Sequence, residues 1–219
     1  MKKVLINGFV IFSLLVASAL ISCNGNNNKT ETDSKEVAKD SNKLKFDNKP
    51  LEDDSKFVVA AADGGMIEVN LGKLALTNGS AAYIKEFGKM MVEDHGKANA
   101  ELKTLAASKN ISIPDSLGEK NRDTYNEMAK KKGKDFDKAY ANFMVDDHKD
   151  DINAFKKEAE KGNDADIKGW AAGKVVTLEH HLEMAEAAKN GGKMKMTGDS
   201  IKMKDHTMHI IKDSAKTKK

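Results

Sequence analysis

The chain has 219 residues, a formal net charge of +3 at pH 7, 5% aromatic residues and a single Cys. A balance so near neutral, with so few aromatics, excludes a nucleic-acid-binding face. One thiol excludes both an internal disulfide framework and a thiolate metal cluster.

The chain opens with a targeting segment. Lys2 and Lys3 precede an apolar run from Val4 to Ile21, which closes on Leu20-Ile21-Ser22-Cys23. A basic start, an apolar middle and a small residue at the cut mark residues 1–22 as a signal peptide. The ending resembles a bacterial lipobox, in which Cys23 becomes the lipidated first residue. An uncleaved anchor is the alternative, since the run is about as long as a short transmembrane helix. More than one acyl chain gives firm attachment. The expected location is therefore the bacterial cell envelope, with the membrane itself as partner.

Residues 23–54 read as a lipidated tether. Asn24 to Asp54 is rich in Asn, Lys, Asp, Glu, Ser and Thr, and Phe46 is nearly alone as a residue to bury. Such a composition cannot offset its ordering entropy. As a coil of about thirty residues it would reach roughly 30 Å.

Residues 55–189 read as one helical domain. The first long helix is predicted from Lys56 to Thr77, with Phe57, Ala61, Gly64 or Gly65, Glu68, Leu71 and Ala75 facing inward at spacings of three and four. Gly64, Gly65 and Gly72 each cost about 1 kcal/mol against Ala there. They imply either a close neighbour or a break at Asp63-Gly64-Gly65. Asn78-Gly79-Ser80 ends this helix and caps the next.

The second helix is predicted from Ser80 to Lys109, with Ile84, Phe87, Met91, His95, Ala98, Leu102 and Leu105 inward. A short helix follows from Leu117 to Lys131. The third long helix starts at Asp135 as N-cap and ends near Gly162, burying Phe136, Tyr140, Met144, His148, Ile152, Phe155 and Ala159. The fourth runs to Lys189, with Ile167, Ala171, Lys174 or Val175, Leu178, His181 or Leu182, and Ala185 inward. Short turns make two antiparallel hairpins, and a longer connection joins them. The expected fold is all-α: an up-down four-helix bundle, ferritin-like if the middle crossover spans its length. An extra short helix lies between the hairpins, and disordered tails lie at both ends.

One pattern occurs twice. Met91-Val92-Glu93-Asp94-His95 returns as Met144-Val145-Asp146-Asp147-His148, and Phe87, Leu102 and Lys103 align with Tyr140, Phe155 and Lys156. Each inward stripe thus carries one polar residue near its midpoint: Glu68, His95, His148 and His181. At 1.5 Å per residue, their heights above the turns differ by only several ångströms. Asp94 and Asp147 reach this layer from its rim, because adjacent helical positions face different ways. Read as chemistry, the set is a site for a transition-metal ion such as Zn, Fe, Mn or Cu. Read as structure, it is a buried polar network that fixes bundle register. There are no catalytic residues to name: Gly-x-Ser-x-Gly, a phosphate-cradling Gly loop and His-Glu-x-x-His are all missing.

Residues 190–219 form a second tail. It opens on Asn190-Gly191-Gly192 and holds eight Lys against three Asp. A basic tail on a mildly acidic body suits anionic lipid or polymer. Met194, Met196, Met203, His206, Met208 and His209 are a weaker metal candidate, since thioethers select soft ions such as Cu(I). A solvated Lys-rich tail is the plainer reading.

The order of motifs also carries a resemblance. Phe57-Val58-Val59-Ala60-Ala61-Ala62-Asp63-Gly64-Gly65-Met66-Ile67-Glu68-Val69 is followed by Leu71-Gly72-Lys73-Leu74-Ala75, the two acid-His repeats, Phe136-Asp137-Lys138-Ala139-Tyr140, and His181-Leu182. From Phe57 to Ala188 this resembles family four-one-four-two of the domain-of-unknown-function series, labelled predicted outer-membrane protein and grouped with ferritin-like bundles. The resemblance implies a four-helix fold, an envelope location and no particular activity. It places Glu68, Asp94, His95, Asp147, His148 and His181 at family positions. Val176 stands where members often have Pro. Val92, Val145 and Leu178 stand three before the inward histidines, so the Glu-x-x-His pairs of di-iron proteins are missing. The leading expectation is a lipid-anchored, non-enzymatic structural, stress-related or interaction module. The alternative is a metal-binding envelope protein (Cu, Zn or Fe) using the core layer or the tail.

Overall fold

The computed structural model describes residues 33–192. Its helices are α1 (Ser34–Phe46), α2 (Leu51–Asn78), α3 (Ala82–Ser108), α4 (Glu119–Ala129), α5 (Gly133–Lys161) and α6 (Ala165–Lys189), with no strand among the described residues. The signal segment, Cys23 and the tail candidates Met194, Met196, Met203, His206, Met208 and His209 lie outside the described residues. None of the described helices is long and apolar enough to cross a membrane.

The two ends of the bundle establish its topology. At one end the α2–α3 turn meets the start of α5. Asp137 accepts hydrogen bonds from Ser80 N (2.9 Å), Ser80 Oγ (2.5 Å) and Ala81 N (3.1 Å). At the other end the start of α2 meets the α5–α6 turn. Asp54 accepts from Asn163 N (3.0 Å) and Asp164 N (2.6 Å), and Lys109 at the end of α3 pairs with Asp164 at 2.7 Å. So α3 finishes at the end opposite to where α5 begins. Residues 109–132 must span the full bundle, carrying α4 along the way. One long crossover sets this bundle apart from those with short loops throughout.

This crossover makes α2 the central helix. It packs against α3 and α5 within the bundle, and against α1 and α4 outside it. Its buried surface is therefore wider than one stripe: Val58, Val59, Ala62, Ile67, Leu71 and Ala75 are all covered. Phe57 and Ala61 are only half-buried. Phe57 sits edge-on to Phe155, with ring centroids 5.0 Å apart.

Several sequence expectations change here. Residues 34–54, whose composition reads as part of a flexible tether, form α1 and the start of α2. Composition misleads because α1 buries little of itself, only Ala38, Asn42 and Phe46. It is held instead by polar pairs to the crossover and α2. Asn42 Nδ2 donates to Ser112 O and Asn42 Oδ1 accepts from Ser112 N, both at 2.7 Å, while Lys35 meets Asp63 at 2.8 Å. Ser80 does not cap α3, whose N-cap is Ala81. The capping acceptor arrives from α5 as Asp137. Asp135 is not the N-cap of α5, which begins at Gly133 (φ 59°) after Lys132.

The glycines of α2 cause no break. Close approach accounts for two of them. A Cβ on Gly72 would stand 2.7 Å from Gly88 O on α3, and one on Gly65 would collide with the Asn99 side chain.

Apolar residues separate into two bodies along the bundle. Ile67, Leu71, Phe87, Met91, Tyr140 and Met144 fill the half near the α2–α3 turn. Val58, Leu102 and Ile167, with the neighbouring Ile152, Phe155 and Leu178, fill the other half. The polar layer lies between them.

Near the α5–α6 turn, Glu158 is 8% exposed and its Oε1 has no hydrogen-bond partner. Burial, then the nearby Asp54, pushes its carboxyl from 4.5 up to about 7. The folded chain therefore holds this proton more tightly than the unfolded chain, and stability falls as pH rises through that window. Glu158→Gln is expected to raise the melting temperature at pH 8 and leave it near wild type at pH 5. Equal shifts at both pH values would contradict this account.

Candidate metal centre

Each long helix contributes one side chain to the polar layer: Glu68 from α2, His95 from α3, His148 from α5 and His181 from α6. Glu68, His148 and His181 are 0% exposed and His95 is 7% exposed. The three imidazoles form a compact triangle, with ring centroids 5.6, 5.1 and 5.4 Å apart. One ligand nitrogen from each lies within 4.8 Å of the other two. Two donors bound at about 2.1 Å to one tetrahedral ion stand roughly 3.4 Å apart. His95 Nε2 and His181 Nδ1 are already 3.1 Å apart.

The second nitrogen of every ring faces an oxygen. His148 Nδ1 is 3.0 Å from Met144 O, so it carries the proton and donates. His181 Nε2 is 2.9 Å from Asp94 Oδ2. His95 Nδ1 is 2.6 Å from Glu68 Oε2. Such contacts fix the tautomer and aim of a metal-binding imidazole. They leave His148 Nε2, His181 Nδ1 and His95 Nε2 as the inward nitrogens.

Glu68 is the unusual member. It is wholly buried, and neither of its oxygens has a partner of hydrogen-bond geometry. Its Oε2 lies off the line of the His95 N–H despite the short contact, and its Oε1 is 3.4 Å from His148 Nε2, another orphaned atom. Burying a carboxylate without a cation costs several kcal/mol. Burial accordingly raises its pKa well above the usual range. Burial also lowers His95 to about 4 and His148 to about 3, which leaves both rings neutral at physiological pH, each with one unprotonated nitrogen. Neutral imidazoles and a carboxylate form a donor set for a borderline transition metal.

Two proton arrangements satisfy this chain. In one, Glu68 carries its own proton on the side of His95 Nδ1, His95 Nε2–H donates to His181 Nδ1, and His181 Nε2–H donates to Asp94. In the other, Glu68 is ionised and His95 is protonated on Nδ1. Two lone pairs then face each other between His95 and His181, and a cation must stand among them.

The flanking acids take different places. Asp94 is exposed and touches the layer only through His181. Asp147 is half-buried, its Oδ2 is buried and unpartnered, and it groups with Glu68 and His148. Asp151 joins the layer although the acid-His repeat does not mark it, and burial, then Glu68, pushes its carboxyl up to about 8. Tyr140, an apolar-stripe position by its spacing, has a buried hydroxyl without a hydrogen-bond partner. The signal was available in the spacing: Tyr140, Asp147, His148 and Asp151 recur at three, four and seven on α5.

If Glu68 is protonated in the metal-free fold, its folded pKa lies above its unfolded one, and its penalty grows as pH rises above about 4.5. Glu68→Gln keeps a donor toward His95. In chelator-treated protein it is expected to raise the melting temperature, with a larger gain at pH 8 than at pH 5. A loss at pH 8 would show that the ionised form is the stabilising one.

No curated protein and no solved structure matches the chain. One family profile does match, Domain of unknown function (DUF4142), over residues 39–188. That span includes the last part of α1, the crossover and all four members of the polar layer, so the chain belongs to the DUF4142 family.

Proposed function

We propose that the bundle binds one transition-metal ion among His95 Nε2, His148 Nε2 and His181 Nδ1, with Glu68 as the neighbouring carboxylate. The observation that carries this reading is that three rings from three helices each turn their outer nitrogen to an oxygen, two of them in hydrogen bonds, while their inner nitrogens face one another. An ion there would also offset the buried charge of Glu68. The donor set suits Zn, Cu or Fe. Elemental analysis of protein reconstituted with each ion is expected to give about one equivalent in wild type and none in His148→Ala. Excess ion should raise the wild-type melting temperature, since binding at a hundredfold over Kd adds about 2.7 kcal/mol. Metal-free wild type whose melting is unmoved by any of the ions would leave the row of polar contacts from Glu68 to Asp94 as a register device alone.

The same chain is read as an envelope protein held by a lipidated Cys23. The support is the basic start, apolar run and single Cys of residues 1–23. Cys23→Ser is expected to move the protein from the membrane fraction to the soluble one. Unchanged fractionation would favour an uncleaved anchor.

A further inference from the structure

The polar layer is not sealed. A cleft of about 140 Å³ runs inward to Glu68, His95 and His181. Lys97 and Thr177, both exposed, stand on its outer walls, and Asn99 and Lys174 also line it. His148 is not on its wall. An ion held by the three rings would therefore be backed by His148 on α5 and would face the cleft on its other side. Sites with an open position exchange ligands, whereas closed four-ligand sites are structural.

We infer that the ion keeps an exchangeable coordination position facing this cleft, and that it takes a small anionic ligand from solvent. The inference rests on the metal-binding reading. Size argues for a small ligand: at about 30 Å³ per water, the cleft holds only a handful of atoms. Charge argues for an anion, because the ion is a cation and the exposed Lys97 stands on the outer wall. Three acids line the same walls, and the ion itself offsets one of them, Glu68. Asp94 is engaged by His181 at 2.9 Å, and Asp151 is half-buried on α5. Outside the cleft wall, Glu101 pairs with Lys174. Gly65 contributes by lacking a side chain: the Asn99 side chain, its Oδ1 foremost, occupies the space where a Gly65 Cβ would be.

Azide is a suitable probe, because its binding to Cu(II) or Co(II) gives a charge-transfer band. In wild-type protein loaded with one equivalent of Cu(II) or Co(II), azide is expected to produce a saturable new absorption. Ala98→Leu, on the cleft wall, should weaken that response at least tenfold with metal content unchanged. Thr177→Trp at the rim serves the same purpose if Ala98→Leu does not fold. Metal-loaded protein without an azide response overturns this inference alone, as does a plugged variant that responds like wild type. Failure to bind either metal overturns the metal-binding reading, and this one with it.

Discussion

A carboxylate at the centre of a helical bundle has to be compensated, and Glu68 is such a carboxylate. It lies between two apolar bodies, fully buried and with no well-formed hydrogen bond. A proton or a cation must stand beside it, because the alternative costs several kcal/mol out of a total stability of about 5–15. The three histidines are what the fold supplies to meet that requirement. All three are kept neutral by burial, so their contribution is lone pairs and N–H donors rather than charge.

The rest of the architecture holds these four groups at one height. Above the layer, Gly72 and Gly88 let α2 and α3 approach closely, which sets the register of Glu68 against His95. At the two ends, Asp137 and Asp54 tie the hairpins together by accepting backbone N–H groups of the opposite turn. Both carboxylates act across helices, so sliding one hairpin along the other would break several bonds at once. Such sliding is the motion that would pull the imidazoles apart.

The long crossover has a cost and a use. Its backbone needs partners, and α1 supplies them through Asn42, Lys45 and Ser34. In return α1 and α4 cover the outer side of α2 and turn it into a core helix. That cover explains why Asp63 and Glu68 can both be buried on one helix. Asp63 is taken up by Lys35, Gly118 N and Asn121, while Glu68 is left to the histidines. The α3–α6 seam, by contrast, carries the cleft that reaches the layer.

Much of this was legible in the chain itself. Periodicity of three and four identified all four long helices, and the twofold acid-His pattern marked His95 and His148 as equivalent positions on two of them. Counting from the turns placed Glu68 and His181 near the same height, because a helix rises uniformly with residue number. What periodicity could not reach was anything decided between segments distant in sequence. Residues 34–46 are too polar to predict as folded, and they become a helix only because Ser112, Asp63 and Asp115 wait for them. Ser80 looked like a cap, but an acceptor arriving from α5 displaced that role. The crossover's path, the tautomer of each ring and the open side of the polar layer depend on which atoms of separate helices approach within 3 Å. Local propensity encodes the rods; only their packing decides which lone pairs meet.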